Sequence, residues 1–293
     1  MASLFYGPTI RQQAVLLAEG GWTSPWTSLV SVQPSGTRPP LFLVPPAAST
    51  GLRFAYLARV LGPDQPIYSF DPIGFDGRYE PLDSVEAIAA QYVDELRILQ
   101  PDGPYLIGGM CFGAHVAFEM AQQLQIDGKH VPIVLTFDAS HPTNGPTWKR
   151  PKRSLLFYAR RFVAHLKNGE LFQRVANYLK FHYRTLRIRL VHRFLPHGNA
   201  KDKVWDSHLR AQWRYQAKPL AGQVVLFQSD QYFKNHAQIH WPELALHGLE
   251  IIHFPNTTHR SLLLEDENVE RIAEKLRQVI DRWTTEHWQD RSQ

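Results

Sequence analysis

Several features that would point to other classes of protein are scarce or absent in this chain. Its 293 residues include a single cysteine, Cys111, which excludes an intrachain disulfide and argues against a thiolate metal site. The 14 histidines form neither an H-E-x-x-H nor an H-x-x-E-H pattern, so the sequence gives no support for a metal. There is no run of 18 apolar residues, and residues 1–19 lack the apolar core of a signal peptide. We therefore predict a cytoplasmic protein without a membrane span.

Acidic residues are nearly missing from one segment. Between Lys149 and Arg193 there are 13 lysines and arginines and one acid, Glu170. We call residues 149–193 the basic segment. No nucleic-acid recognition motif accompanies the charge, so we predict no nucleic acid and favour an acidic protein partner. The alternative is an ordinary solvated helical face.

Short apolar runs alternate with helical patterns along most of the chain. This alternation predicts an α/β protein with a mostly parallel, doubly wound sheet. The predicted strands are 28–33, 41–44, 67–70, 105–107, 133–137, 224–228 and 250–254. The predicted helices between and after them are 54–61, 85–99, 114–126 and 269–283, with a further helix at 4–18.

One long stretch interrupts this alternation. Residues 140–222 contain no strand pattern but have helical periodicity at 154–167, 171–193 and 204–215. Because this stretch lies between two predicted core strands, we interpret it as a helical insertion. It could be an ordinary packed cap, a lid that shapes an acyl tunnel, or both.

The only cysteine lies in a glycine-rich turn. Residues 108–113 read Gly-Gly-Met-Cys-Phe-Gly, between the strand at 105–107 and the helix at 114–126. This order matches the G-x-S-x-G nucleophile elbow, with sulfur in place of the serine oxygen. A lone cysteine is usually a small buried apolar residue, but a helix N-terminus favours the thiolate. We therefore predict that Cys111 is a nucleophile.

A sulfur nucleophile needs a base and an acid that orients the base. His259 follows the last predicted strand by five residues, which makes it the predicted base. Asp138 and Asp230 end two successive strands, and topology permits either as the acid. We favour Asp138 because the helical insertion leaves the sheet directly after it. Its predicted role is to hold the imidazole tautomer whose free nitrogen faces Cys111.

Backbone N–H groups should stabilise the oxyanion that forms during acyl transfer. The first predicted donor is the N–H of Phe112, the residue after the nucleophile. The second should come from the turn after an early strand, residues 44–51, which we call the oxyanion turn. Pro45 and Pro46 have no N–H, so Ala47 is the first candidate there.

With these residues in hand, the chain resembles the terminating thioesterase domains of nonribosomal peptide and polyketide synthases, an α/β-hydrolase family. The resemblance rests on residues 26–44, the Pro-Pro-Ala of the oxyanion turn, the elbow and helix at 105–124, and the Leu-rich stretch after His259. The family's acid follows the strand after the elbow, which supports Asp138. The chain departs from the family in having cysteine for serine and a long, unusually basic insertion.

The resemblance also implies a domain organisation and a substrate. Residues 1–20 resemble a carrier-domain helix and linker, as in a chain cut or descended from a larger synthase. Residues 21–139 and 223–293 would form the α/β-hydrolase core, and 140–222 the helical lid. The implied substrate is an acyl or peptidyl chain on the phosphopantetheine of an upstream carrier domain, with no cofactor of the enzyme's own.

Cysteine in place of serine suggests how the chain would be released. Attack of Cys111 on a carrier thioester exchanges one thioester for another, so acyl-transfer potential is kept. We therefore expect transfer to a hydroxyl or amine, by cyclisation or to a second molecule. The alternatives are hydrolytic release, clearance of stalled carriers, an inactive domain that binds carrier or product, and a free-standing small-molecule hydrolase.

Overall fold

A seven-stranded sheet forms the centre of the computed structural model, which describes residues 10–18, 26–142, 199–235 and 241–288. The strands are β1 (Leu29–Gln33), β2 (Leu41–Val44), β3 (Ile67–Phe70), β4 (Leu106–Met110), β5 (Ile133–Phe137), β6 (Gln223–Ser229) and β7 (Leu249–Phe254). Their order in the sheet is β1-β3-β2-β4-β5-β6-β7. β1 pairs antiparallel with β3, and all other neighbours are parallel.

The strands are apolar because both faces of the sheet are covered. Successive side chains of a strand point to opposite faces. In β2, Phe42 and Val44 pack into one hydrophobic cluster, whereas Leu41 and Leu43 pack into a second cluster on the other face. A strand buried on both sides reads as a continuous apolar run and requires helices above and below it.

Helices supply those two covers. The described helices are α1 (Ile10–Ala18), α2 (Ala55–Leu61), α3 (Val85–Leu99), α4 (Phe112–Ile126), α5 (Ala200–Arg214), α6 (Asp230–Lys234) and α7 (Asp266–His287), of which four form most of the covers. Side chains of α3 and α4 lie in the cluster on one face, and those of α2 and α7 in the cluster on the other. The core therefore has two apolar layers separated by the sheet.

The fold class predicted from the sequence is confirmed, with differences at the element ends. α4 begins at Phe112, two residues earlier than predicted, because the turn at Cys111 leads directly into the helix. α5 begins at Ala200 because the Asn199 side chain accepts a hydrogen bond from the Asp202 N–H at 2.9 Å and caps the helix. α6 has no counterpart among the helices predicted from the sequence.

Some predictions lie outside the described residues. These are the helices predicted at 154–167 and 171–193, together with the basic segment. The domain limits 1–20, 21–139, 140–222 and 223–293 stay predictions. In the described part of the chain, no helix has both the length and the apolar character needed to span a bilayer.

Candidate active site

The backbone around Cys111 forms a tight turn between β4 and α4. Cys111 has φ 55° and ψ −118°, and its N–H donates to the carbonyl of Phe137 at 2.9 Å. A Cβ on Gly109 would lie 2.2 Å from the carbonyl oxygen of Gly113, which only glycine avoids. Gly109 therefore permits the tight turn that holds Cys111 at the N-terminus of α4.

Gly113 also brings α4 against the oxyanion turn. A Cβ at this position would lie 2.3 Å from the carbonyl oxygen of Val44 and 2.4 Å from that of Pro45. The first turn of α4 therefore packs directly on the turn that contains Ala47. The N–H of Phe112 lies in that first turn, where helical N–H groups have no acceptor within the helix. The arrangement places the two predicted oxyanion donors in adjoining segments.

His259 lies in the loop between β7 and α7 and contacts both other predicted catalytic residues. Its Nδ1–H donates to Oδ2 of Asp138 at 3.2 Å, and the imidazole lies close enough to the Cys111 thiol for the two side chains to interact. The backbone N–H of His259 donates to Oε1 of Gln231 at 3.2 Å, which holds the loop against α6. About a third of the imidazole side chain, 31%, remains exposed. The three residues therefore form a chain of contacts in the order Cys111, His259, Asp138.

Asp138 is fully buried directly after β5. One carboxylate oxygen accepts from His259, and the other, Oδ1, accepts from the Ser229 N–H at 2.7 Å. The alternative acid, Asp230, instead contacts His253 at 3.1 Å and Lys234 at 2.5 Å. Of the two acids left open by the sequence, Asp138 is the one that touches His259.

The surroundings of His259 favour its protonated form. Burial of the ring lowers the pKa of His259, but hydrogen bonds to Asp138 and Cys111, together with the charges of both residues, raise it to about 9. An imidazolium beside a thiol stabilises the thiolate, because the opposite charge lies next to the sulfur. Protonated His259 therefore places a positive charge beside the sulfur.

Backbone strain is concentrated in the segments that surround Cys111. Four described non-glycine residues have a positive φ: Ala48, Cys111, Asp138 and Asn256. The first three belong to the oxyanion turn, the elbow and the predicted acid. Positive φ costs free energy in residues that carry a Cβ, and such strain gathers at functional sites.

The structure places two further side chains at the site, Tyr232 and His208, which the sequence analysis did not predict. The Tyr232 ring stacks on the imidazole of His259, with 5.1 Å between centroids, and its side chain also lies close to Cys111. Tyr232 lies on α6, whose five residues are too short for a periodic pattern. The sequence feature that could have indicated Tyr232 as a site residue is its position just after β6, at the carboxyl edge of the sheet.

His208, on α5, supports the oxyanion turn. Its Nδ1 accepts from the N–H of Ala48 at 3.3 Å, and its ring stacks on Phe112 with 4.5 Å between centroids. Burial lowers the pKa of His208 to about 3, so the imidazole is neutral and free to accept. No local sequence pattern connects α5 to a turn 160 residues earlier in the chain. The described ranges contain no group of three or more side chains able to hold a metal ion.

Comparison with known proteins identifies the family. A sequence profile for the thioesterase domain matches residues 39–280. The chain belongs to the thioesterase domain family. The family predicted from the sequence is thereby confirmed.

The curated relatives of this thioesterase are much longer proteins. It is 36% identical over 142 residues to malpibaldin synthetase of Mortierella alpina, a match that covers 47% of this chain and 2% of the relative. It is 35% identical over 139 residues to a dimodular nonribosomal peptide synthase of Bacillus subtilis (strain 168), covering 47% of this chain and 6% of that one. The matched region is thus a small part of each relative.

Solved structures show the same fold. The NocB thioesterase domain, in covalent complex with a fluorophosphonate nocardicin G analogue, aligns with TM-score 0.59 and 22% identity over 85% of this chain and 98% of that one. SrfTE, the thioesterase domain that cyclises surfactin, aligns with TM-score 0.60 and 17% identity over 89% of this chain and 98% of that one. At these identities the likeness establishes the α/β-hydrolase fold.

Proposed function

We propose that this thioesterase releases an acyl or peptidyl chain from the phosphopantetheine thioester of a carrier domain, through an acyl intermediate on Cys111. The observation that carries the proposal is the chain of contacts from the Cys111 thiol through His259 to the buried carboxylate of Asp138. One of the relatives is a dimodular nonribosomal peptide synthase, which supports a carrier domain upstream as the partner.

In the first half-reaction the Cys111 thiolate attacks the carbonyl carbon of the carrier thioester. The N–H groups of Ala47 and Phe112 stabilise the oxyanion of the tetrahedral intermediate. As the bond to the pantetheine sulfur breaks, the imidazolium of His259 gives its Nε2 proton to the departing thiolate. The products are a Cys111 thioester, neutral His259 and a free pantetheine thiol.

In the second half-reaction an acceptor takes the acyl group. Neutral His259 removes a proton from a hydroxyl or amine, which attacks the carbonyl carbon of the Cys111 thioester. The C–S bond breaks, and the thiolate–imidazolium pair forms again. Because a thioester retains acyl-transfer potential, we propose cyclisation or transfer to a second molecule as the outcome. Hydrolysis uses water as the acceptor in the same step.

Intact-protein mass spectrometry tests both halves. The protein has one cysteine, so an acyl adduct formed with N-acetylcysteamine thioesters can be assigned to Cys111. We expect an adduct on the wild type and none on Cys111→Ala. A wild type that never gains the acyl mass would refute the acyl-enzyme and favour an inactive carrier- or product-binding domain.

The product formed when the acyl group leaves Cys111 distinguishes acyl transfer from hydrolysis. Hydroxyl and amine acceptors should discharge it faster than buffer does, and the product should have the mass of an ester or amide. If the sole product is the free acid, with water added, the hydrolytic alternative replaces acyl transfer. Cys111→Ser provides the comparison, because its acyl intermediate would be an oxygen ester. We expect this variant to give less acyl transfer, relative to hydrolysis, than the wild type.

The basic segment suggests how a carrier domain would be recruited. Its charge of about +12 is suited to an acidic partner whose approach is steered by long-range attraction. We expect the association rate with a loaded carrier protein to fall as ionic strength rises. A rate from carrier-bound substrate that is independent of salt would exclude this steering.

A further inference from the structure

Asp71 directly follows β3 and contacts the end of the oxyanion turn. Its Oδ1 atom accepts a hydrogen bond from the backbone N–H of Gly51, the last residue of that turn, at 2.9 Å. β2 and β3 are parallel neighbours in the sheet, so the oxyanion turn and Asp71 both begin at its carboxyl edge. This carboxylate therefore joins two adjacent strand ends at the edge where Cys111 and His259 lie.

The N–H of Gly51 takes its acceptor from outside the turn. Gly51 begins a short 3-10 helix, Gly51–Phe54, and the first N–H groups of a helical segment have no acceptor within that segment. An N-cap side chain often supplies one, but Thr50 makes no such hydrogen bond within the described residues. The carboxylate of Asp71 supplies the acceptor from a different strand end.

The end of the oxyanion turn also packs closely on β3. A Cβ at Gly51 would lie 2.9 Å from the Cβ of Ser69, a closer approach than two such atoms tolerate. The hydroxyl of Ser69 donates to the carbonyl of Leu43 in β2 at 2.7 Å, so this side chain is itself fixed between the two strands. The lack of a side chain at Gly51 therefore lets the turn lie directly on β3, within reach of Asp71.

The backbone of Asp71 is anchored to the core. Its N–H donates to the carbonyl of Ser28 at 2.7 Å, and the N–H of Ser28 donates to the carboxylate of Glu95 on α3 at 3.0 Å. Glu95 is buried and also accepts from the N–H of Leu29 at 2.6 Å. Because these bonds fix the backbone that carries the carboxylate, Asp71 can fix the position of Gly51.

We propose that Asp71 is a positioning residue that holds the oxyanion turn in place during acylation of the enzyme. His208 accepts from the N–H of Ala48 in the same turn, so side chains from two separate elements hold the segment that contains Ala47. Donors stabilise an oxyanion best when they are already in place as the charge develops. The inference rests on the proposed function, since the oxyanion forms only during acyl transfer. Asp71 acts through the turn and takes no part in the bond changes themselves.

Two reactions of Cys111 separate positioning of the turn from a general loss of structure. Attack on an N-acetylcysteamine thioester forms an oxyanion, whereas attack on iodoacetamide does not. We expect Asp71→Ala to slow acylation about tenfold, less than the 10²–10³ lost when an oxyanion donor is removed, and to leave alkylation unchanged. Asp71→Leu also lacks an acceptor but keeps more of the side-chain volume, and it replaces Asp71→Ala if that variant does not fold. An unchanged acylation rate, or an equal fall in both rates, would overturn the proposal.

The conservative variant tests whether the acceptor is what matters. Asp71→Asn keeps an Oδ1 atom that can accept from the N–H of Gly51, so it should recover most of the acylation rate. Asp64→Ala is the matched control, because Asp64 Oδ1 also accepts from a backbone N–H, that of Thr37, at 2.8 Å. Asp64 precedes β3 and so lies at the opposite edge of the sheet, and its loss should leave both rates unchanged. Acylation of Asp71→Asn as slow as that of Asp71→Ala would overturn the proposal.

Hydrogen exchange measures the turn itself and needs no thioester. The loss of one ordinary hydrogen bond corresponds to about fivefold, so the backbone amides of residues 48–51 should exchange faster by that factor in Asp71→Ala. In Asp71→Asn their exchange should stay near that of the wild type. Exchange that is unchanged in Asp71→Ala would overturn the proposal even if acylation slowed. If no thioester acylates wild-type Cys111, the proposed function fails, and the exchange rates alone then decide whether Asp71 holds the turn.

Discussion

The Nδ1 atom of His208 accepts a hydrogen bond from the backbone N–H of Ala48 at a distance of 3.3 Å. The same imidazole stacks on Phe112, so one side chain of α5 touches the segments of both predicted oxyanion donors. α5 also lies within residues 140–222, the predicted helical insertion. The position of the oxyanion turn therefore depends on how the insertion rejoins the core.

Replacing this imidazole should impair catalysis without affecting the nucleophile. His208→Phe keeps an aromatic ring on Phe112 but leaves the Ala48 N–H without its acceptor. We expect the rate of Cys111 acylation to fall about tenfold, less than the 10²–10³ lost when an oxyanion donor is removed. Alkylation by iodoacetamide should be unchanged, since it forms no oxyanion. His208→Asn, whose Oδ1 replaces Nδ1 as acceptor, should recover most of the rate, and acylation of His208→Phe at the wild-type rate would contradict this role.

The two candidate acids give a matched pair of variants. Asp138→Asn removes the carboxylate that fixes the His259 tautomer, and in a serine protease the equivalent change lowers kcat by about 10⁴. We expect a loss of that order in the rate of acyl transfer measured with a thioester mimic. Asp230→Asn changes contacts with His253 and Lys234 only and should retain activity within about twofold, because neither partner belongs to the predicted catalytic residues. The assignment would be reversed if Asp230→Asn were the more damaging change.

Tyr232 should support the thiolate through its hydroxyl. Tyr232→Phe keeps the ring on His259 but removes the hydroxyl that would donate to the Cys111 thiolate. One hydrogen bond of about 1 kcal/mol corresponds to roughly fivefold, so alkylation at pH 6 should slow by that factor relative to alkylation at pH 9. The control is Tyr79→Phe, because Tyr79 is 60% exposed on the surface. An unchanged pH profile in Tyr232→Phe would show that the hydroxyl does not act on the sulfur.

Two buried histidines should make the fold sensitive to acid. Burial lowers the pKa of His115 to about 4 and that of His208 to about 3, whereas an unfolded histidine titrates near 6.5. Between these values the unfolded chain binds more protons, so the free energy of unfolding decreases as the pH falls from about 6.5 towards 4 and is fully restored above 6.5. Each histidine should contribute about 1 kcal/mol per pH unit in that window.

Urea denaturation at pH 7, 6 and 5 measures this dependence. His115→Gln can still donate to the Ser140 carbonyl, which His115 Nε2 reaches at 2.9 Å, but it does not titrate. Its unfolding free energy should therefore change less with pH than that of the wild type. Identical slopes for wild type and His115→Gln would mean that His115 does not contribute.

The sequence predicts the candidate catalytic residues better than it predicts the residues that hold them in position. The elbow motif and the position after the last strand single out Cys111 and His259, because parallel strands bring their carboxyl ends to one edge. The sequence could not separate Asp138 from Asp230, since both end neighbouring strands. The difference lies in the backbone: the positive φ at Asp138 follows β5, whereas Asp230 begins α6 and contacts Lys234 one turn later.

The supporting residues could not be read from sequence for a different reason. His208 reaches the oxyanion turn through tertiary packing across most of the chain. Tyr232 lies on a helix of five residues, shorter than the window over which helical periodicity is recognisable. Element types were predictable wherever an apolar pattern ran for a whole strand or several helical turns, and element ends were set by caps and turns such as those at Asn199 and Cys111.

The positive φ angles at Ala48, Cys111 and Asp138 have a consequence for the thermal tolerance of this protein. Each strained residue lowers the free energy of unfolding by about 1 kcal/mol or more. All three residues lie in the region around Cys111. Substitutions that relax these angles would raise the melting temperature while releasing the nucleophile and its neighbours from their places. Heat-stable versions of this enzyme should therefore gain their stability in the helices and loops far from the carboxyl edge of the sheet, and keep all three strained residues.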